Sequence, residues 1–319
     1  MKPRDIVFCV GVVLLLLCVS VCSFGASPVP PDRPGPFHVG WLKVWYRVSP
    51  YGVYRATIRY PATRDGWRAP LDISQAPYPG VVVANGFAGA EREITWIPEH
   101  LTSYGYVTLC FTPPHKISGV TTQWAYGFRG GFETLLKQNS SRLSPIIGAF
   151  DNGTRGAIGL SMGGGGCLEA TGTMGSWIDA SVALAPAGTP SALAAARNIT
   201  VPTQLQTGTN DGFVPPASVL KVYTDVLSND TIKEYLAITG GNHIGFIDEF
   251  YATYAAKHGI DNPAGITVEQ QHNVSRRYFT AWFQFYLKHL NEYDTYLFGD
   301  DAQHDVESGV LTDLRFHIP

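Results

Sequence analysis

The order of apolar and polar residues alternates between strand-like and helix-like segments along most of the chain. Residues 80–85 form an apolar run, which is typical of a strand buried on both faces of a parallel sheet. Residues 91–103 follow with apolar side chains at helical spacing, and residues 106–111 form the next strand-like run. This alternation predicts an α/β fold, with one mostly parallel, doubly wound sheet and helices on both faces.

The other predicted elements follow from the same periodicities. A long final helix is predicted near residues 274–290, and its aromatic stripe indicates core packing rather than a ligand site. The sequence beyond residue 290 is predicted to be a tail. The remaining strands are predicted at residues 41–47, 53–60, 157–160, 181–184, 203–206 and 233–238, and the remaining helices at 121–137, 162–172 and 216–227.

The first 26 residues have the charged, apolar, then small-residue order of a secretory signal peptide. Lys2 and Arg4 precede an apolar run from Ile6 to Cys22. We expect cleavage and secretion without stable membrane insertion. An uncleaved anchor is the alternative, because the run approaches the length that spans a bilayer. A Pro-rich linker at residues 27–36 then leads into one catalytic domain, residues 37–319.

Secretion also bears on the cysteines and asparagines. Cys110 and Cys167 are the two cysteines beyond the signal segment, and they are predicted to be buried free thiols, with a single disulfide as the alternative. Five Asn-x-Ser/Thr acceptor sites favour a secretory route with glycans on surface loops. These sites begin at Asn139, Asn152, Asn198, Asn229 and Asn273.

Composition limits the partners. Hydrophobic residues make up 45% of the 319 residues and charged residues 15%, so a sizeable buried core is expected. The net charge is −3, and the Lys and Arg residues look scattered along the sequence. A nucleic-acid partner needs a basic patch or stripe, so we expect none, and we expect a monomer.

The segment Gly159-Leu160-Ser161-Met162-Gly163 matches Gly-x-Ser-x-Gly. With 34 glycines in the chain, the match alone is weak evidence. However, an apolar strand leads into Ser161, and glycines open the following helix. Glycines two residues either side suit a strained strand-to-helix turn, where a side chain would strike the backbone. The pattern therefore predicts that Ser161 is a nucleophile. A phosphate loop is disfavoured because no Gly-Lys-Ser/Thr follows.

A serine hydroxyl needs a base, and in this arrangement the acid and then the histidine follow the serine along the chain. His243 lies in a loop of small residues directly after a strand and is the predicted base. Asp211 follows an earlier strand and is the predicted acid, which would orient the imidazole. Asp248 and Glu249 are rivals, but they lie close to His243 in sequence.

Acyl transfer also needs two N–H groups that stabilise an oxyanion. The backbone N–H of Met162, next to the serine, is one candidate. Phe87, in the loop after the strand at 80–85, is the other, and its ring is available as a wall of the acyl pocket. No metal or organic cofactor is required by this chemistry.

The run from Ser161 to Gly166, Ser-Met-Gly-Gly-Gly-Gly, resembles the nucleophile elbow of bacterial cutinases and polyester hydrolases, within the dienelactone-hydrolase-like group. Gly-Phe-Ala-Gly at 86–89 and Gly-Asn-His at 241–243 resemble the oxyanion and histidine loops of these enzymes. The resemblance covers residues 35–290. It implies an α/β-hydrolase fold and a serine esterase with the triad, Ser161, Asp211 and His243, and the oxyanion donors named above.

Two departures from that family bear on the substrate. Leu160 stands where the family has His or Trp, and Ala187 stands where it has a Trp that clamps aromatic groups. With Phe87 and Phe213, these residues are candidates for the substrate cleft. We expect hydrolysis of aliphatic or lipid esters, small or polymeric, rather than aromatic polyesters. The alternatives are a chlorophyllase-like or other specialised carboxylesterase, and a catalytically silent binding module.

Overall fold

A computed structural model describes residues 29–319. The predicted signal peptide and the first two linker residues lie outside the described residues. The described chain forms a ten-stranded sheet in the order β10-β9-β8-β7-β6-β4-β5-β2-β1-β3. The strands are β1 (His38–Val48), β2 (Gly52–Ala62), β3 (Gly66–Trp67), β4 (Tyr78–Ala84), β5 (Val107–Phe111), β6 (Phe150–Leu160), β7 (Ala180–Leu184), β8 (Thr203–Gly208), β9 (Lys233–Ile238) and β10 (Leu311–His317).

The six central strands, β4 to β9, are parallel to one another, as the apolar runs predicted. In β4, Val82 and Ala84 face one core cluster, whereas Val81 and Val83 face the other. Alternate residues of one strand therefore serve two cores, which is why the run is apolar throughout. Antiparallel pairs complete both sides of the sheet: β1 with β2, and β10 with β9.

Helices cover both faces of the sheet, and the predicted fold class is confirmed. The apolar residues of α2 to α5 pack on one face, and those of α1 and α7 pack on the other. The helices are α1 (Trp96–Ser103), α2 (Thr122–Ser140), α3 (Met162–Met174), α4 (Pro190–Ala196), α5 (Pro216–Lys221), α6 (Glu249–Lys257), α7 (Val268–Lys288) and α8 (Asp300–Glu307).

The end of the chain differs from the prediction of a helix followed by a tail. Helix α7 begins six residues before the predicted start, because Thr267 and Gln270 form a capping box. After α7 the chain forms α8 and then β10, which pairs with β9. Leu314 and Phe316, at alternate positions of β10, are partly buried against the core. Two alternating apolar residues among polar ones are too short a pattern to predict a strand.

Both cysteines are buried and free. Cys110 belongs to the core on the α7 side of the sheet and Cys167 to the core on the α2 side. The sheet therefore lies between them. Burial raises the pKa of Cys167 to about 12, so this thiol is expected to stay protonated and unreactive at neutral pH.

The five glycan acceptor sites do not all lie on loops. Asn139 is part of α2, and its side chain bonds the backbone of Phe150 through both its amide nitrogen and its oxygen. Asn273 is in the body of α7. Asn152 is exposed but lies in β6. These three positions correct the expectation of surface loops, whereas Asn198 and Asn229 are exposed outside helices and strands.

A layer of polar side chains lies between the sheet and α7. Glu234 of β9 accepts a hydrogen bond from Gln204 of β8. The neighbouring Gln206 bonds Gln204 at 2.8 Å and accepts from the Ser275 hydroxyl of α7 at 2.6 Å. We call these four residues the buried polar layer. Hydrogen bonds within the layer satisfy most of its buried polar atoms, but the Glu234 Oε1 has no partner in the described chain.

Within residues 29–319, no helix combines the length and the hydrophobicity needed to cross a bilayer.

Candidate active site

Ser161 alone forms the turn between the end of β6 and the start of α3. Its backbone has φ 58° and ψ −118°, and a positive φ is uncommon for a residue with a side chain. Its N–H donates to the Leu184 carbonyl at 2.8 Å, and its carbonyl accepts from the Ala187 N–H at 2.9 Å. The neighbouring β7 strand and the loop after it therefore hold this strained turn in place.

The two glycines of the pentapeptide allow this turn. A Cβ atom on Gly159 would lie 2.2 Å from the Gly163 carbonyl oxygen, and one on Gly163 would lie 2.6 Å from the Ala84 carbonyl oxygen. Neither contact can be relieved by a flexible side chain, because both involve backbone. The structure thus gives the same reason for these glycines as the sequence did.

Asp211 and His243 are in direct contact. The Asp211 Oδ2 lies 2.7 Å from the His243 Nδ1. The other carboxylate oxygen, Oδ1, accepts from the N–H groups of Phe213 at 2.9 Å and Val214 at 2.7 Å. The carboxylate is buried and held from both sides, so it can fix the orientation of the imidazole.

The two rival carboxylates are placed elsewhere. Asp248 accepts hydrogen bonds from the N–H groups of Thr95 at 3.0 Å and Trp96 at 3.1 Å, at the start of α1. Glu249 is exposed at the start of α6. Asp211 is thus the carboxylate that reaches His243.

Ser161, Asp211 and His243 follow the carboxyl ends of β6, β8 and β9, which are parallel. They therefore lie at one edge of the sheet, where ligand sites of open α/β sheets are found. Among residues 29–319, no direct hydrogen bond joins the Ser161 hydroxyl to His243. Such bonds are often long before substrate binds.

The loop after β4 passes close to the serine. A Cβ atom on Gly86 would lie 2.7 Å from the Ser161 Cβ. The Ala88 N–H donates to a neighbouring carbonyl at 2.6 Å, whereas the Phe87 N–H donates to no acceptor in the described part of the chain. The Met162 N–H lies in the first turn of α3, where no intrahelical acceptor exists. The N–H groups of Phe87 and Met162 thus have no acceptor in the described part of the chain.

Comparison with known proteins adds to this geometry. The family model described as PET hydrolase-like matches residues 32–312. The chain belongs to the PET hydrolase-like family. The resemblance to bacterial cutinases and polyester hydrolases is thereby confirmed, and so is the α/β-hydrolase fold.

Three curated relatives share part of the sequence. A bis(hydroxyethyl) terephthalate hydrolase of Streptomyces coelicolor is 29% identical over 191 residues, which is 60% of this chain and 58% of that protein. Cutinase 1 of Thermobifida cellulosilytica is 25% identical over 209 residues, 66% of this chain and 72% of that protein. A cutinase of Thermobifida fusca is 25% identical over 209 residues, 66% and 63% respectively. The chain thus spans less than two thirds of the Streptomyces relative.

The predicted cleft residues of this PET hydrolase-like chain do not all reach the surface. Phe87 is 54% and Phe213 56% exposed, and the Phe213 ring lies 5.3 Å from the His243 ring. Ala187 is partly exposed. Leu160 is 2% exposed and packs with Ile158 in the core on the α7 side of the sheet. Alternation along β6 turns the Leu160 side chain inward, and its part in the cleft stays a prediction.

Sequence reasoning missed the segment between α6 and α7. The Asp261 Oδ1 accepts from the Gly212 N–H at 2.9 Å, next to the acid, and its Oδ2 accepts from the Ile244 N–H at 3.1 Å, next to the histidine. The carbonyl of Asn262 also accepts a hydrogen bond from the side-chain amide of Asn242 at 2.7 Å. The segment therefore ties the acid loop to the histidine loop. Its Asp-Asn-Pro sequence signals only a turn.

Within the part of the chain that the structure describes, no group of three or more His, Cys, Asp or Glu side chains is arranged to hold a metal ion.

Proposed function

We propose that this chain is a secreted serine esterase in which Ser161, His243 and Asp211 act as a triad. The observation that carries the proposal is the 2.7 Å contact between Asp211 and His243, at the sheet edge where Ser161 occupies its strained turn. Membership of the PET hydrolase-like family supports it.

The reaction has two steps. In the first, the Ser161 oxygen bonds to the ester carbonyl carbon while His243 takes its proton, and Asp211 stabilises the imidazolium. The Phe87 and Met162 N–H groups stabilise the oxyanion. The alcohol then leaves with the proton from His243. In the second step, a water oxygen bonds to the acyl carbon while His243 takes a proton from the water, and the bond from the acyl carbon to the Ser161 oxygen then breaks as His243 returns this proton to Ser161, which releases the carboxylic acid.

The proposed substrates are carboxylic esters with aliphatic or lipid acyl groups. Leu160 is buried and Ala187 is small, so neither position offers a ring on which an aromatic acyl group can stack. Phe87 and Phe213 supply the exposed apolar surface near the site. One relative is named as a hydrolase of bis(hydroxyethyl) terephthalate and another as a cutinase. Aromatic esters are therefore the substrates against which aliphatic esters should be compared.

Turnover of p-nitrophenyl butyrate tests the mechanism. Ser161→Ala is expected to lower kcat on the order of 10⁶-fold, because the nucleophile is lost. The matched control is Ser218→Ala, at an exposed position of α5, which is expected to keep wild-type activity. Equal activity of Ser161→Ala and wild type would refute the proposal. A fluorophosphonate probe that leaves the wild type unlabelled would favour a silent binding module.

Relative kcat/KM values then test the substrate class. We expect aliphatic esters to be turned over faster than terephthalate esters of similar size. The reverse order would show that Phe87 and Phe213 suffice for aromatic acyl groups.

We also propose that residues 1–26 are a cleaved signal peptide and that residues 37–319 form the catalytic domain. The intact mass of the secreted protein tests the first point. A mature chain that begins between residues 23 and 27 is expected, and a secreted or membrane-bound chain that retains Lys2 would refute it.

A further inference from the structure

The first three strands carry an unusual share of positive charge. Residues 38–68 contain six of the 23 Lys and Arg residues of the chain but one of its 26 acidic residues, and three of its seven Trp residues. The whole chain has a net charge of −3, so this segment is basic within an acidic protein. The cations look scattered along the sequence because their grouping depends on strand pairing.

Strand register places these residues on one surface. In β1, even-numbered residues such as Leu42 and Val44 are buried, so the odd-numbered ones point to the opposite face. Trp45 pairs with Arg55 of β2, and Arg47 pairs with Val53. Trp67 of β3 lies beside Trp41. We call this surface the basic ribbon face, formed by Trp41, Lys43, Trp45, Arg47, Val53, Arg55 and Trp67.

The basic ribbon face includes large apolar side chains that are exposed to solvent. Trp45 is 64%, Trp67 65% and Val53 48% exposed. The Arg55 guanidinium lies 4.9 Å from the centre of the Trp45 ring, a cation–π contact that keeps both groups at the surface.

Two of the three cations on the basic ribbon face are not neutralised by a carboxylate. Lys43 has a partner in Glu91 at 3.7 Å. Among residues 29–319, neither Arg47 nor Arg55 forms an ion pair with a carboxylate. The uncompensated cations therefore surround the exposed Trp45 and Val53.

We propose that the basic ribbon face docks on the surface of a bilayer that contains anionic lipids. Tryptophan rings favour the headgroup level of a bilayer, and Lys and Arg residues near the surface are attracted to anionic lipids. Exposed Val53 among them fits the headgroup–acyl boundary, where apolar and cationic side chains act together. An acidic polysaccharide or a nucleic acid would attract the cations but would leave Val53 without an apolar partner.

Strand direction gives this docking a consequence for the site. β1 is antiparallel to β2, and β2 is antiparallel to β5, so β1 runs parallel to the central strands. Arg47 and Val48 at its end thus lie at the edge of the sheet that carries Ser161. Docking would keep this edge close to the bilayer. The docking proposal itself does not depend on esterase activity.

Co-sedimentation of the secreted protein with phosphatidylcholine vesicles, with and without phosphatidylglycerol, tests the proposal. We expect binding to the anionic vesicles that weakens as salt rises, and little binding to the neutral ones. Arg47→Glu/Arg55→Glu and Trp45→Ala/Trp67→Ala are each expected to bind at least about tenfold more weakly. Thermal unfolding of each variant checks that it is folded.

Matched controls separate the face from general charge and hydrophobicity. Arg197→Glu/Lys257→Glu changes the net charge by the same amount at exposed positions of other elements, and Phe250→Ala removes another exposed ring. Both are expected to bind anionic vesicles like the wild type. The proposal is overturned if the ribbon variants bind as well as the wild type, if the controls lose as much, or if heparin or DNA binds the protein while vesicles do not.

Discussion

Carboxyl groups lie both in the loops at the edge of the sheet that carries Ser161 and in the buried polar layer, but their hydrogen-bond partners differ. At the edge, both oxygens of Asp211, Asp248 and Asp261 accept hydrogen bonds, and backbone N–H groups are among the donors to each carboxylate. In the layer, one oxygen of Glu234 accepts from Gln204, and the other, Oε1, has no partner in the described chain.

The hydrogen-bond donors around a carboxyl group influence whether its ionised or its neutral form is the more stable one. N–H donors favour the ionised form of a carboxylate and fix its position. Burial raises the pKa of Glu234 well above that of an ordinary carboxyl group, which favours its neutral form. The edge therefore positions its loops through carboxylates that backbone N–H groups hold, whereas the carboxyl group in the core belongs to a network of buried side chains.

The strongest test of the carboxylates at the edge is Asp211→Asn. We expect kcat to fall by about 10³- to 10⁴-fold, because an amide in place of the carboxylate favours the wrong tautomer of His243. Steady-state kinetics with p-nitrophenyl butyrate measure it, and the free energy of unfolding checks the fold. Asp230→Asn, at an exposed turn, is the control. A loss below about tenfold would mean that Asp211 is not the acid of the triad.

Asp261→Ala tests a carboxylate that touches neither the serine nor the histidine ring. We expect kcat to fall by about tenfold to a hundredfold with little change in KM, since the acid and histidine loops would no longer be tied together. The pH profile of kcat is expected to shift as well. The matched control is Asp225→Ala, at an exposed position in the helical turn that follows α5. A change confined to stability, with kcat intact, would limit Asp261 to a structural role.

Glu234→Gln tests the carboxyl group in the buried polar layer. Because the folded-state pKa is raised, the wild type has the full contribution of this group below its unfolded-state pKa. It then loses about 1.4 kcal/mol per pH unit as pH rises towards the folded-state value. The Gln variant lacks this loss, so its stability relative to the wild type is expected to grow with pH. Urea unfolding from about pH 5 to about pH 9 measures it, and parallel pH profiles of the two proteins would contradict it.

The smallest expected effect is that of Asp248→Ala. The change leaves the N–H groups of Thr95 and Trp96 without their acceptor, and loss of such a cap costs about 1 kcal/mol. Glu249→Ala, one residue away and exposed, is expected to change the free energy of unfolding by less than about 0.5 kcal/mol. Equal effects of the two changes would argue against a capping role.

The sequence predicted the parts of the molecule that depend on local periodicity or on short motifs. The parallel strands follow from apolar runs, and the turn at Ser161 follows from its glycines. The inward position of Leu160 was not predicted because its role came from resemblance, whereas alternation along β6 puts it on the same side as Ile158.

Contacts between distant segments could not be predicted in this way. Asp261 lies 49 residues beyond Gly212, to which it bonds, and nothing local marks it as a partner. The pairing of Trp45 with Arg55 likewise depends on hairpin register.

The strand β10 has a consequence for how the protein behaves in concentrated solution. It occupies the outer side of β9, whose own residues are buried throughout. Without β10, the backbone N–H and C=O groups along that side would be open to pairing with another molecule. The final strand thus moves the open edge of the sheet from β9 to a strand that carries the charged residues Asp313 and Arg315, and charged side chains on an edge strand discourage its pairing with another molecule.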